Sequence, residues 1–225
     1  MSRVLAISPH LDDAVFSAGG TLAEHAMAGD EVTVLTCFTG NVPEPTGFAL
    51  ACQLDKGLAP DIDYMALRRD EDHDACAKIG ATALHWPFLE APHRGYESAA
   101  ALFGSMRADD DIAERLIEPL TELSTALAPA IVYGPYGVGG HVDHIAVRRA
   151  IEAVFGDIVW WEDYPYAMRE SAAPDDIWRQ PLAHAAAARK LEGVLAYESQ
   201  LGFQFGSSEA AKNALATWNV EGFAR

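Results

Sequence analysis

Apolar residues along the chain alternate between short continuous runs and stretches with helical spacing. Residues 3–8, Arg-Val-Leu-Ala-Ile-Ser, contain a continuous apolar run. Such a run is typical of a strand that is covered on both faces. Residues 14–28 carry apolar side chains three and four positions apart and are followed by a glycine that can end a helix. The chain therefore begins with a predicted strand, a turn and a helix.

The same order repeats along the chain. Further strands are predicted at 32–38, 83–88, 131–133 and 158–161, and helices at 64–79, 112–127, 147–154 and 182–201. Repeated strand–helix order favours parallel strands joined by right-handed crossovers. The pattern predicts a single α/β domain over residues 1–225, with helices on both faces of the sheet.

One connection is longer than a compact domain normally needs. Residues 40–63 contain several prolines and glycines and no clear hydrophobic period. We expect this segment to act as a mobile lid or as a contact between copies in a homo-oligomer.

In such folds ligands bind outside the carboxyl ends of the strands, so the residues that follow each strand are the first candidates for chemistry. After the first strand, His10 and Asp13 lie three positions apart across a turn, a spacing at which both can reach one metal ion. Asp12 must then point elsewhere. The simpler alternative is that Asp12 or Asp13 only caps the helix.

A second polar turn follows the predicted strand 131–133. Its sequence, Gly139-Gly140-His141-Val142-Asp143-His144, places two histidines three positions apart with an aspartate between them. An ordinary surface histidine pair is the alternative. The occurrence of both turns at the same predicted edge instead favours a shared site.

Together the two turns offer His10, Asp13 and one of the pair His141 and His144 as metal ligands. Two histidines and one carboxylate, with a coordination position left open, are typical of catalytic zinc, and Fe²⁺ or another divalent metal accepts the same set. Zinc would activate water and polarise an amide carbonyl. Asp12 suits the general base, and the histidine that does not bind the metal suits a donor to the oxyanion and the leaving amine.

Composition and charge narrow the function classes. The 225 residues are 50% hydrophobic and carry a formal charge of −17, so nucleic acids and anionic membrane surfaces are disfavoured as partners. No apolar run reaches the roughly 18 residues of a membrane-spanning helix. The three cysteines, an odd number without metal-binding spacing, favour a reducing compartment, and we expect a cytoplasmic protein.

The segments His10-Leu11-Asp12-Asp13 and His141-Val142-Asp143-His144 resemble the two signatures of the PIG-L/LmbE-like zinc-dependent N-deacetylases, His-Pro-Asp-Asp-Glu and His-x-Asp-His. The resemblance implies a Rossmann-like three-layer sandwich. It also implies that His10, Asp13 and His144 bind zinc and that Asp12 is the general base. His141 would face the oxyanion and the leaving group, and Asp143 would orient His141.

Weaker similarities extend along the chain. Arg68-x-x-Glu71 is similar to a family helix whose arginine is implied to reach the substrate, although a local ion pair is the alternative. The segment Glu90-Ala91-Pro92-His93-Arg94 resembles Asp-Ala-Pro-Tyr-Arg, and Tyr197-Glu198-Ser199-Gln200 resembles a closing Tyr-x-Ser-Gln. Glu90 and Arg94 are thereby implied in substrate binding. Leu11, Ala14 and His93 depart from the family pattern.

The sequence therefore predicts a zinc-dependent hydrolase that removes an N-acetyl group from a small amino sugar or a glycoconjugate and releases acetate and a free amine. Two alternatives stay open at this point. The same centre could act on another N-acyl group or on a thiol-sugar conjugate, or the chain could bind metal and sugar without turnover.

Overall fold

The computed structural model describes residues 1–169 and 174–225. Its strands are β1 Arg3–Ser8, β2 Glu31–Thr36, β3 Thr82–His85, β4 Ile131–Pro135, β5 Val159–Trp161, β6 Trp178–Pro181 and β7 Val220–Ala224. Its α-helices are α1 Asp13–Met27, α2 Gly47–Leu54, α3 Tyr64–Ile79, α4 Ala99–Leu102, α5 Ile112–Leu127, α6 Val142–Val154, α7 His184–Ala196, α8 Glu198–Phe205 and α9 Ser208–Thr217. Short 3-10 turns occur at Ala91–Arg94 and Tyr166–Met168.

The strands form one sheet in the order β3-β2-β1-β4-β5-β7-β6. The first five strands along the chain are parallel, and β7 and β6 continue the sheet in antiparallel pairing. The prediction of a mostly parallel α/β sheet is confirmed. From β1 the chain adds β2 and β3 on one side and returns to add β4 on the other, so β1 and β4 flank the point where the strand order reverses.

Helices cover both faces of this sheet. Along β1, Val4 and Ala6 face a core that also contains residues of α1, α3 and α7. Leu5 and Ile7 face a second core formed with α5 and α6. This explains the unbroken apolar run at the start of the chain, since both faces of the strand are covered.

The C-terminal third differs from the prediction in two ways. The single helix expected over 182–201 is wrong, because α7 and α8 are separated at Tyr197, whose hydroxyl donates to Asp72 Oδ1 at 2.6 Å. The antiparallel strands β6 and β7 were not predicted. Both are short and their pairing partners are distant in sequence, so the local pattern carried little signal for them.

The long segment 40–63 contains a helix, α2, that the hydrophobic pattern did not reveal. Among the helices of residues 1–169 and 174–225, none combines the length and the apolar character needed to cross a bilayer.

Candidate metal centre and active site

The two polar turns lie side by side because β1 and β4 are adjacent parallel strands. Val4 pairs with Ile131 and Ala6 with Tyr133, so both strands end at the same edge of the sheet. His10 lies between β1 and α1, and His141 caps the start of α6. The site therefore lies at the reversal of strand order, where open α/β sheets bind their ligands.

His10, Asp13 and His144 each offer a potential ligand atom, and these atoms lie within 4.8 Å of one another. Asp13 Oδ2 lies 3.2 Å from His10 Nδ1 and 3.3 Å from His144 Nε2. All three side chains lie close together in the interior, although residues 10 and 144 are far apart in sequence. The sequence prediction that these side chains meet is supported by this geometry.

One atom of this cluster tests whether a metal fits. His144 Nε2 is buried, and although Asp13 Oδ2 lies 3.3 Å away, no described residue forms a well-aligned hydrogen bond with it. A buried polar nitrogen without a partner costs about 1–3 kcal/mol unless something else satisfies it. Together with a nearby carboxylate and a second imidazole, this nitrogen fits a divalent cation such as Zn²⁺. The potential ligand atoms of a second set, His10, His141 and Asp143, also lie within 4.8 Å of one another.

Asp12 takes a different direction from its neighbour Asp13. Its backbone φ of 149° is in a region that residues other than glycine rarely adopt, and this turns its side chain toward Arg68, at 3.5 Å. Burial raises the pKa of the Asp12 carboxyl to about 7, against the opposing effect of the Arg68 guanidinium. A carboxyl with such a pKa can both accept and release a proton near neutral pH.

His141 reaches the same space from the opposite turn. The preceding residues Gly139 and Gly140 have φ values of 84° and 75°, a conformation that permits the tight approach to α6. The His141 Nδ1 accepts a hydrogen bond from the Asp143 amide at 3.2 Å. Burial lowers the pKa of this imidazole to about 3, so the ring is neutral at pH 7.

The expected role of the Asp143 carboxylate needs correction. Its Oδ2 lies 2.9 Å from His10 Nε2 and accepts from the Ala91 amide at 3.0 Å, while Oδ1 lies 2.8 Å from Arg94. The side chain of Asp143 therefore hydrogen-bonds His10, whereas the His141 ring accepts its hydrogen bond from the Asp143 amide.

The three residues predicted to contact substrate divide into two groups. Arg68 and Glu90 line the cleft and bond to each other at 2.7 Å, and Arg68 also donates to the Leu11 carbonyl. Arg94 pairs instead with Asp110 and Asp143 and is outside the cleft lining that the described residues form. Arg94 is thus placed behind Asp143, where it supports that carboxylate, and not at the substrate contact that the sequence predicted.

The alternative of a local ion pair between Arg68 and Glu71 does not occur. Glu71 accepts two hydrogen bonds from Ser199, one from the amide at 2.7 Å and one from the hydroxyl at 2.6 Å. The Tyr197-Glu198-Ser199-Gln200 segment therefore joins α8 to α3.

The cleft above these residues has a volume of about 280 Å³. Its floor consists of His10, Asp12, Asp13, His141 and Asp143, and its mouth includes Phe48, Phe103, Tyr166 and Phe203. Phe103 and Phe203 are 45% and 52% exposed, so the mouth presents aromatic surface to an incoming molecule. Tyr166, which follows β5, lines the cleft, whereas Trp161, the last residue of β5, is fully buried in the core.

Sequence reasoning missed Asp163, Phe103 and Phe203. Asp163 lies just beyond β5, at the edge where the two polar turns also lie, and its Oδ1 is 2.7 Å from His144 Nδ1. Its acidic position after a predicted strand was the available signal. The two phenylalanines had no such signal, because their helices reach the cleft only through tertiary packing.

Comparison with known proteins agrees with this geometry. Residues 5–155 match the PIG-L family, described as GlcNAc-PI de-N-acetylase. The chain is 31% identical over 176 residues to a 2'-N-acetylparomamine deacetylase of Streptomyces fradiae, covering 76% of this chain and 60% of that protein. It is 32% identical over 168 residues to a 1D-myo-inositol 2-acetamido-2-deoxy-alpha-D-glucopyranoside deacetylase of Corynebacterium glutamicum (strain R), covering 71% and 55%. The matched region thus spans less than two thirds of each relative.

Solved structures show the same fold over nearly the whole chain. A deacetylase of the teicoplanin biosynthesis pathway superposes with a TM-score of 0.87 at 28% identity, covering 99% of this chain and 97% of that one. A zinc-inhibited form of teicoplanin deacetylase superposes with a TM-score of 0.82 at 27% identity, covering 99% and 96%. With its two signature turns joined in one buried cluster, this chain belongs to the PIG-L family of de-N-acetylases.

Proposed function

We propose that this protein is a metal-dependent hydrolase that removes the N-acetyl group from an amino sugar or a glycoconjugate. The observation that carries the proposal is the buried cluster of His10, Asp13 and His144, in which His144 Nε2 has no hydrogen bond from the described residues, with Asp12 beside it. The relatives described above are deacetylases of N-acetylated sugars, which supports this substrate class.

In this proposal His10, Asp13 and His144 would hold the ion, with Zn²⁺ as the first candidate and Fe²⁺ as the second. A bound divalent metal would supply Lewis-acid polarisation of the amide carbonyl and activation of water. Asp12 takes a proton from the attacking water and, with its pKa near 7, passes it to the departing amine.

His141 stabilises the charge that develops on the carbonyl oxygen. Its Nδ1 accepts from the Asp143 amide, so the proton of the neutral ring lies on Nε2, which makes that nitrogen a donor. A donor fixed in a buried site gains from the low local dielectric and needs little reorganisation during the reaction.

The polar and apolar parts of the cleft suggest how a glycoconjugate would lie in it. Arg68 and Glu90 offer a donor and an acceptor near the reacting carboxyl of Asp12, suited to sugar hydroxyls. Phe48, Phe103 and Phe203 lie at the mouth and suit an apolar group attached to the sugar. We propose that the segment 40–63 acts as a lid, since Phe48, Cys52 and Lys56 of this segment line the cleft.

The cysteines support a proposal about the cellular location. Cys37 and Cys76 are buried thiols, and none of the three cysteines forms a disulfide within the described ranges. This supports a reducing compartment, and we propose the cytoplasm.

The test measures metal content and acetate release on the same preparation. The substrates are N-acetylglucosamine and an N-acetylglucosaminyl conjugate with an aromatic aglycone, each compared with its N-propionyl and N-octanoyl analogues. We expect one equivalent of metal per chain, loss of acetate release after chelation, and recovery with Zn²⁺ or Fe²⁺.

Full activity in metal-free protein would refute the proposed chemistry. Stoichiometric zinc binding without hydrolysis of any acetamido or longer acyl substrate would instead indicate a binding protein. Faster release of the longer acyl groups would indicate an amidase of different acyl preference.

A further inference from the structure

Asp163 is a buried carboxylate outside the reacting groups and directly behind one of them. It is 1% exposed and follows β5 at the edge of the sheet where the two signature turns meet. Its Oδ1 lies 2.7 Å from His144 Nδ1. Its Oδ2 accepts from the amides of Gly137 and Val138 at 2.6 and 2.7 Å.

These contacts determine the orientation of the His144 ring. A carboxylate can only accept hydrogen bonds, so the partner nitrogen, Nδ1, must carry the proton. In the neutral ring the lone pair is then on Nε2, on the side that faces Asp13, whose Oδ2 lies 3.3 Å away. A single hydrogen bond thus selects the tautomer and the rotamer in which His144 can bind a cation.

The second oxygen of Asp163 contacts the turn between β4 and α6, the same segment that leads to His144. Gly137 and Val138 begin the glycine-rich segment that leads to His141. The amides of both residues donate hydrogen bonds to Asp163 Oδ2. Asp163 therefore joins β5 to His144 and to the start of the loop that carries His141. Displacement of this carboxylate would move both histidines.

We propose that Asp163 is a positioning residue that holds His144 in its metal-binding tautomer and fixes the loop before His141. This inference rests on the proposed metal site. Asp163 reaches neither the substrate cleft lining nor the meeting point of the ligand atoms in the described structure, so it acts only through the groups it bonds.

The variant Asp163→Asn separates this role from simple packing. An amide has almost the same shape as a carboxylate, but one of its two acceptor sites becomes a donor. The amide must then oppose a donor either at His144 Nδ1 or at the Gly137 and Val138 amides. We expect the affinity for Zn²⁺, measured by competition with a chromophoric chelator, to fall about 10–100-fold.

The neighbouring residue provides a matched control. Glu162 is 3% exposed and pairs with Arg179 through bonds of 2.8 and 2.5 Å, away from the two histidines. The variant Glu162→Gln removes a buried charge one residue away, and we expect its zinc affinity to stay within about twofold of wild type, the scatter expected for sites without shared partners. The visible absorption spectrum of the Co²⁺-substituted protein should change in Asp163→Asn and not in the control.

A second measurement uses the wild-type protein alone. In zinc-loaded protein we expect a slowly exchanging Nδ1 proton of His144 in the ¹⁵N-edited NMR spectrum. Equal zinc affinity and equal cobalt spectra of Asp163→Asn and wild type would overturn the inference, as would a His144 Nδ1 without a proton. If wild-type protein bound no divalent metal, the proposed function itself would fail, which is a distinct result.

Discussion

Two buried polar clusters of the molecule differ in whether the hydrogen-bonding capacity of their side chains is fully used. In the first, Glu221 accepts from Lys190 and the Gly20 amide through Oε1, and from the amide and hydroxyl of Thr21 through Oε2. In the second, formed by His10, Asp13 and His144, the Nε2 of His144 has no hydrogen-bond partner in the described structure.

The difference separates a structural charge from a functional one. The Glu221 cluster fixes β7 against α1 and α7, and its four hydrogen bonds leave neither oxygen free for a ligand. The histidine cluster is also largely buried, but the Nε2 of His144 keeps its bonding capacity within the described structure. Burial alone therefore does not identify a site, whereas an unsatisfied group among potential metal ligands does.

The largest expected effect is on catalysis at the incomplete cluster. Asp12→Asn removes the proposed base and keeps its shape, so the rate of acetate release should fall about 10²–10⁴-fold while zinc content stays at wild-type level. Because the charged form of Asp12 is disfavoured by burial, the melting temperature should stay equal or rise.

The matched control is the exposed residue Asp109, whose replacement by Asn should leave the rate unchanged. Wild-type turnover by Asp12→Asn would remove Asp12 from the role of base. Loss of zinc in that variant would mean that Asp12 contributes to holding the metal.

The complete cluster should show the opposite response. Lys190→Met leaves the buried Glu221 carboxylate without its cation, which should reduce the free energy of unfolding by about 3 kcal/mol in urea denaturation. Acetate release by the folded variant at low temperature should match wild type, since Lys190 lies away from the cleft.

The exposed ion pair of Lys212 and Glu209 provides the control for this experiment. Lys212→Met should change the free energy of unfolding by less than about 0.5 kcal/mol. Equal destabilisation by the two lysine variants would mean that the Glu221 cluster contributes no more than a surface pair.

The smallest expected effect is at the mouth of the cleft. Phe203→Ala removes an aromatic ring that is 52% exposed, so stability should change little. The KM for a conjugate with an aromatic aglycone should rise about 3–10-fold, as expected for one lost aromatic contact, while that for N-acetylglucosamine should stay constant.

Met27, exposed at the end of α1, provides the control, and Met27→Ala should alter neither KM. An equal rise for both substrates in Phe203→Ala would mean that the ring contacts the sugar itself rather than its aglycone.

The amino-acid sequence by itself determined the strand–helix alternation, the parallel sheet and the chemistry of the two turns. This was possible because the apolar period reports on neighbours along the chain, and because His10, Asp13 and His144 follow strands that are predicted to share an edge. It did not resolve the break at Tyr197, which depends on a hydrogen bond to Asp72.

Only the tertiary structure decided which groups support the site. The Asp143 side chain contacts His10 and Arg94, and Asp163, which follows β5, lies 2.7 Å from His144 Nδ1. Each of these contacts depends on the direction of one side chain within a turn and on the order of strands in the sheet. Local periodicity carries no information on side-chain direction or strand order, because both are fixed by packing between segments that are distant along the chain.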